Sequence, residues 1–219
     1  MLPATQTKTT SAFAGAVTPA GFIDFFDHIM PIKNARARYF LKGSTGAGKS
    51  TFIKKMLAIL IAKGHLVEQF HCANDANSLD GIAVQKLGLS IIDATLPHSH
   101  DPKIPGAIDT IIDFGQFLTP TKLTPHLDTI KILQHQKSQL SKKASLYMKA
   151  LGNIYQAEKP RELKQKGLLQ DCLKILDIPI LDHTTYPQGQ DRKLFVTAIT
   201  PDGLISFANF TGATYNLQA

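Results

Sequence analysis

A chain of 219 residues with 43% apolar and 19% charged residues has room for one α/β domain with added helices, or for one domain and part of another. Its 24 basic and 17 acidic residues give a net charge of +7, which favours anionic partners such as nucleotides; nucleic acid stays open, although the spread of Lys137, Lys142, Lys143 and Lys149 equally fits a solvated helix face. Two isolated thiols, Cys72 and Cys172, exclude a disulfide scaffold and make a reducing, cytoplasmic location the expectation, and the longest apolar stretch, Met56 to Ala62, is too short to span a membrane.

Residues 1–12 are polar and low in complexity and read as a flexible tail. Phe13 to Val17 and Phe22 to Phe25 flank Thr18-Pro19-Ala20-Gly21, a turn signal between apolar runs, so a hairpin or a strand-turn-helix is expected. Gly21 to Met30 also fits a helix, ended by Pro31. Arg38 to Lys42 reads as the first core strand, with Arg36 and Arg38 as surface residues at its start. A helix over about Lys49 to Lys63 follows, with Ile53, Met56, Leu57, Leu60 and Ile61 at helical spacing and Gly64 as its stop.

Leu66 to His71 and Leu89 to Asp93 read as further strands, with Ala73 to Lys86 as turn and short helix between them. This alternation predicts a largely parallel sheet with helices on both faces. Ala94 to Pro105 is a polar loop, and Gly106 to Leu118 has helical spacing through Ile108, Ile111, Ile112 and Phe117. Leu127 to Glu158 is the longest helix, with a possible break at Gly152. Its stripe of Leu127, Ile130, Leu133, Leu140, Met148 and Leu151 reads as core packing or a helical hairpin, with a coiled-coil partner surface as the alternative. Arg161 to Leu176 is a further helix and Leu181 to Arg192 a linker, and 94–192 offers no convincing strand.

The segment Phe13 to Phe25 recurs as Phe195 to Phe207 at a constant offset of 182, with Phe, Ala, Thr, Pro, Gly, Ile and Phe shared at corresponding places. The same offset puts the counterpart of Gly43 at position 225, beyond Ala219. The expected organisation is a tail over 1–12, a nucleotide-binding domain over 13–180, a linker over 181–192, and a hairpin over 193–219. That hairpin either opens a second copy or completes the sheet of the first.

Chemistry centres on Gly43-Ser44-Thr45-Gly46-Ala47-Gly48-Lys49-Ser50, a full G-x-x-x-x-G-K-[ST] phosphate loop. Its glycines let the backbone curl and aim N–H groups at phosphate oxygens, and the helix behind it adds its positive end. Lys49 is placed to reach the β and γ phosphates, Ser50 to ligate magnesium, and Thr51 to contact the α phosphate. Asp93, closing an apolar strand, is the candidate second magnesium ligand, although an acid there also caps a loop and Ser90 breaks the apolar run. Asp75, or else Asp80, is the candidate to orient water or accept a proton; Asp75 and Ser78 equally suit a helix cap. His98 and Asp101 follow Asp93 and fall near the γ phosphate, whereas the spacing of His71, Cys72, His98 and His100 is not that of a compact zinc motif.

These residues resemble a bacterial family of P-loop ATPases of uncharacterised role, often present as two tandem copies in one chain. The resemblance rests on Phe13 to Phe25, Leu41 to Thr51, Phe70-His71-Cys72, Ser78 to Gly81, Ile92 to His98, and Asp101 to Ala107. It implies a P-loop NTPase core of three layers, α/β/α, with an additional helical region. It also implies ATP and magnesium as ligands, and a second P-loop domain or a second chain as partner. On this resemblance the chain is the first domain plus the start of the second. The leading expectation is an Mg-dependent ATPase. A small-molecule or nucleotide kinase is the alternative, and a nucleotide-sensing scaffold with little turnover is a third. GTP is disfavoured, because no N-K-x-D-like segment is present. A buried stripe on the longest helix counts against the scaffold, and an exposed one favours it.

Overall fold

Three apolar runs, Arg38 to Leu41, Leu79 to Val84 and Leu89 to Ile92, pair side by side at the centre of a six-stranded sheet. The computed structural model describes residues 9–95, 100–157 and 192–207. Its strands are β1 (Thr9–Phe13), β2 (Gly15–Thr18), β3 (Gly21–Asp24), β4 (Ala37–Lys42), β5 (Val67–Cys72), β6 (Asp75–Val84), β7 (Leu89–Asp93), β8 (Asp109–Asp113), β9 (Thr197–Thr200) and β10 (Gly203–Ser206). The helices are α1 (Lys49–Ala62), the short α2 (Pro120–Leu123) and α3 (Leu127–Ala157). The main sheet has the order β1-β5-β6-β7-β4-β8, and only β6 runs against the rest. The fold is therefore mixed α/β with a largely parallel sheet.

Alternation across the sheet sorts the core into two layers. Leu41, Ile82 and Ile91 face α1 and pack with its Ile53 and Leu60. Phe40, Ala83 and Ile92 face the other side and pack with Phe26, Ile29 and Met30. Among the described residues that second face is covered by 3-10 turns, Phe26–His28 and Ile32–Asn34, and not by the expected α-helix. The helical reading of Gly21 to Met30 gives way to β3 and the first of these turns. α1 and its stop are as expected, with Gly64 at φ 84°.

Ala73 to Lys86 holds no α-helix; it is mostly β6 and ends in a 3-10 turn that begins at Gln85. All six residues Leu79 to Val84 are buried, as in a strand covered on both faces, so no alternation marks it as β. A Cβ on Gly81 would come 3.1 Å from the Ile91 carbonyl oxygen, so the close seating of β6 on β7 favours glycine there. Gly106 to Leu118 is likewise not a helix. Asp109–Asp113 forms edge strand β8, and Phe114–Phe117 a 3-10 turn. Its Thr110-Ile111-Ile112 run is β-branched, which favours the pleated state over the helix that the spacing suggested.

β1 takes residues 9–12 out of the expected tail and pairs them with β5. Arg38 is not a surface residue: it is 2% exposed and joins β4 to β8 through Asp109. α3 runs unbroken through Gly152, which rests against Pro19 of the first hairpin turn. Its apolar stripe is not core: Leu133, Leu140 and Leu151 are 58%, 67% and 50% exposed. β9 and β10 make their own two-stranded sheet and add nothing to the main one. The expected helix over Arg161 to Leu176 and the linker over 181–191 lie outside the described residues.

Candidate functional site

The site lies where β4 and β7 end side by side. These strands are parallel neighbours, and Leu41 is level with Asp93. The chain leaves β4 at Lys42, passes through Gly43 to Gly48 and enters α1 at Lys49. Gly46 and Gly48 have φ 84° and 91°, in the left-handed region where a Cβ is strained. Gly43 has the further constraint of space, since a Cβ there would come 2.9 Å from that of Phe114. No side chain caps the start of α1, so the N–H groups of its first turn keep their capacity for an acceptor.

Lys49 is buried, and its Nζ donates to the carbonyls of Gly43 at 2.7 Å and Ser44 at 2.9 Å. The same Nζ lies 3.6 Å from Asp93 Oδ2. Asp93 has two tasks: its Oδ1 accepts from Thr95 N at 3.0 Å, so both the loop cap and the approach to Lys49 are present. Thr95, which the sequence did not single out, donates its hydroxyl to Gly43 O at 3.1 Å and ties the end of β7 to the loop. Ser50 Oγ accepts from Leu79 N at 3.0 Å, which leaves its own proton and a second lone pair. Thr51 is exposed on the first turn of α1, and Ser44, Thr45 and Gly46 are exposed on the loop.

The two candidate acids of β6 separate. Asp75 is exposed at the start of the strand, where its Oδ1 accepts from Asn77 N at 3.1 Å in a local turn. Asp80 is 7% exposed. Burial pushes its carboxyl up to about 7; the nearby Asp93 charge works in the same direction, while a hydrogen bond from Cys72 and the Lys49 charge oppose both. Burial and the Asp80 charge push the Cys72 thiol up to about 12, so this cysteine is a poor nucleophile. The pairing of β5 with β6 shifts register at His71 and Cys72, which delivers Cys72 to Asp80. Of the two, Asp80 is the one buried within reach of the Lys49 and Asp93 charges, and sequence alone could separate them only by the apolar run that follows Asp80.

Asp101 is exposed and bonds Lys42 Nζ at 3.0 Å, one residue before the loop. His100 stacks on Phe26 and lies 3.2 Å from Asp24, and His98 falls outside the described residues. Among the described residues no three His, Cys, Asp or Glu side chains cluster as a metal set. Lys142 lines a hollow of about 750 Å³ between α3 and Pro19 to Gly21. Among the described residues no helix is long and apolar enough to cross a membrane. Comparison with protein-family models, with curated proteins and with solved structures finds no match.

The arrangement can do two things chemically. Uncapped N–H groups and a buried ammonium offer a site for an anion with several oxygens. A serine hydroxyl and a carboxylate offer hard oxygen ligands to a cation beside it.

Proposed function

We propose that the chain binds Mg-ATP at the Gly43 to Ser50 loop and hydrolyses it slowly, on a P-loop core related to the tandem ATPases that its segments resemble. The observation that carries this reading is that Lys49, beside Ser50 at the end of the loop, stands 3.6 Å from Asp93 at the end of the neighbouring strand. The donor set suits the ligand. The N–H groups of Gly46 to Ser50 suit phosphate oxygens, Lys49 the β and γ phosphates, and Ser50 with Asp93 magnesium. Magnesium supplies charge neutralisation at the phosphates. Asp80, with its carboxyl near 7, is matched to holding and taking up a proton from water at neutral pH.

Phosphate release tests this. The wild type releases phosphate from Mg-ATP, and Lys49→Ala or Asp93→Asn lowers the rate by about 10²–10³. Equal rates in all three chains overturn the reading. One observation favours the scaffold reading as a second: the exposed apolar stripe of α3. On that reading binding stays dependent on Lys49, while release does not exceed buffer.

A further inference from the structure

The two hairpins meet about a local two-fold axis. Phe13 and Phe195 hold the same place in the repeat, and each bonds the other: Phe13 N donates to Phe195 O at 2.7 Å and Phe195 N to Phe13 O at 2.9 Å. The surrounding contacts come in exchanged pairs. The Phe13 ring lies 5.1 Å from Phe207 at 31°, and the Phe195 ring 5.0 Å from Phe25 at 28°. Phe25 and Phe207 are themselves counterparts, each closing its own hairpin, by Phe25 N to Ala14 O at 2.6 Å and Phe207 N to Val196 O at 2.7 Å. Counterparts Ala16 and Ala198 are buried in one cluster.

The duplication reaches the turns. Thr18 Oγ1 donates to Gly21 O at 2.8 Å and accepts from Ala20 N at 3.2 Å, and Thr200 repeats this with Gly203 at 3.0 Å and Asp202 at 3.2 Å. Gly21 and Gly203 share φ 110° and 104°. An arrangement in which residue i meets j′ while j meets i′ defines an isologous interface. Two unrelated hairpins in casual contact have no reason to set equal residues on the axis.

We propose that the face formed by Phe13, Ala16 and Phe25 is a self-pairing surface that fits the same hairpin of a second copy of this chain, and that residues 195–207 occupy it in that hairpin's place. The face is self-complementary. Each of Phe195, Ala198 and Phe207, which fill it, has an identical counterpart in Phe13, Ala16 and Phe25, so the first hairpin of another molecule carries the same side chains. The surroundings are not symmetric: His71 packs against Phe207 and Phe13 with ring centroids at 4.7 and 6.2 Å, and Gly152 of α3 rests against Pro19 of the first hairpin. Arg192 bonds Glu68 Oε1 at 2.8 Å and His28 O at 2.6 Å, and its counterpart position holds Thr10. Arg192 therefore fastens the hairpin of the same chain and gives it the advantage over one from another molecule. The proposal stands on hairpin geometry alone and does not depend on nucleotide binding.

Two full-length variants test it. Replacing residues 195–207 by the sequence of 13–25 keeps Tm within about 3 °C of wild type, whereas a scrambled segment of equal composition lowers it well beyond that. Phe195→Asp with Phe207→Asp displaces the second hairpin, and the sedimenting mass then doubles with concentration. Adding Phe25→Asp returns it to monomer with unchanged far-UV circular dichroism. A folded double variant that stays monomeric, a dimer indifferent to Phe25→Asp, or an exchanged chain no more stable than the scrambled one overturns the proposal. Should the double variant fail to fold, the exchange experiment decides alone.

Discussion

Strand β4 has an acid and a base at each end, and the two ends are built in opposite ways. At its start, Arg38 and Asp109 are both 2% exposed and joined by two bonds of 2.7 Å, Nε to Oδ1 and Nη2 to Oδ2. Asp109 also accepts from Lys103 N at 2.7 Å and Ile104 N at 2.9 Å. Burial works against this carboxylate, but Arg38 and the two backbone donors outweigh it and hold its pKa below the usual range. At the other end, Lys49 spends its bonds on loop carbonyls and stands 3.6 Å from Asp93, while burial raises the nearby Asp80 carboxyl to about 7. Ionic groups that satisfy one another hold a fold together. Groups left with spare capacity beside a loop of uncapped N–H donors are where a ligand gains most.

Breaking the satisfied end has the largest effect on stability. Arg38→Ala strands a buried carboxylate and lowers unfolding free energy by about 3–5 kcal/mol in urea titration. A loss under about 1 kcal/mol shows that the pair is not what joins β8 to the sheet. The two ends also differ in pH response. Asp109 is depressed in the folded state, so its stabilisation is complete above its unfolded pKa and is lost as pH falls through the folded value. Asp80 is raised to about 7, so between pH 4 and 7 the folded state keeps a proton that the unfolded state has released. Stability therefore declines across that window, by about 1.4 kcal/mol per pH unit for a fully separated titration. Asp80→Asn cannot ionise, and it is expected to raise Tm at pH 8 and to leave Tm unchanged near pH 4. A Tm difference independent of pH contradicts the assignment.

The smallest effect comes from Ser90, fully buried in β7 with an Oγ that meets no partner. Ser90→Ala removes an unsatisfied hydroxyl and is expected to gain about 1 kcal/mol, read from the same urea titration. A loss instead shows that the hydroxyl has a bond that matters to β7.

The glycine-rich loop was more readable in the sequence than its surroundings, for a physical reason. Gly46, Gly48 and Lys49 serve a backbone path set within a few residues, and the Pro-x-Gly turns of both hairpins are equally local. β6 and β8 were missed because they exist through partners distant in sequence: β6 is buried on both faces between β5 and β7, and β8 is held by Arg38 from 71 residues away. Arg38 itself looked like a surface cation, because only the fold brings Asp109 to it. The stripe on α3 had a core-like period and is exposed, since periodicity describes a face and not what covers it. Asp75 and Asp80 differ only in depth along β6, which is a tertiary property.

The most direct test of the contrast is calorimetric titration of Mg-ATP into wild type, Lys49→Ala and Arg38→Met. The account predicts that the wild type binds, that Lys49→Ala loses binding by at least about 100-fold while keeping wild-type stability within about 2 kcal/mol, and that Arg38→Met loses stability while binding at wild-type affinity wherever it is folded. A folded wild type that does not bind, or a Lys49→Ala chain that binds as well, contradicts it.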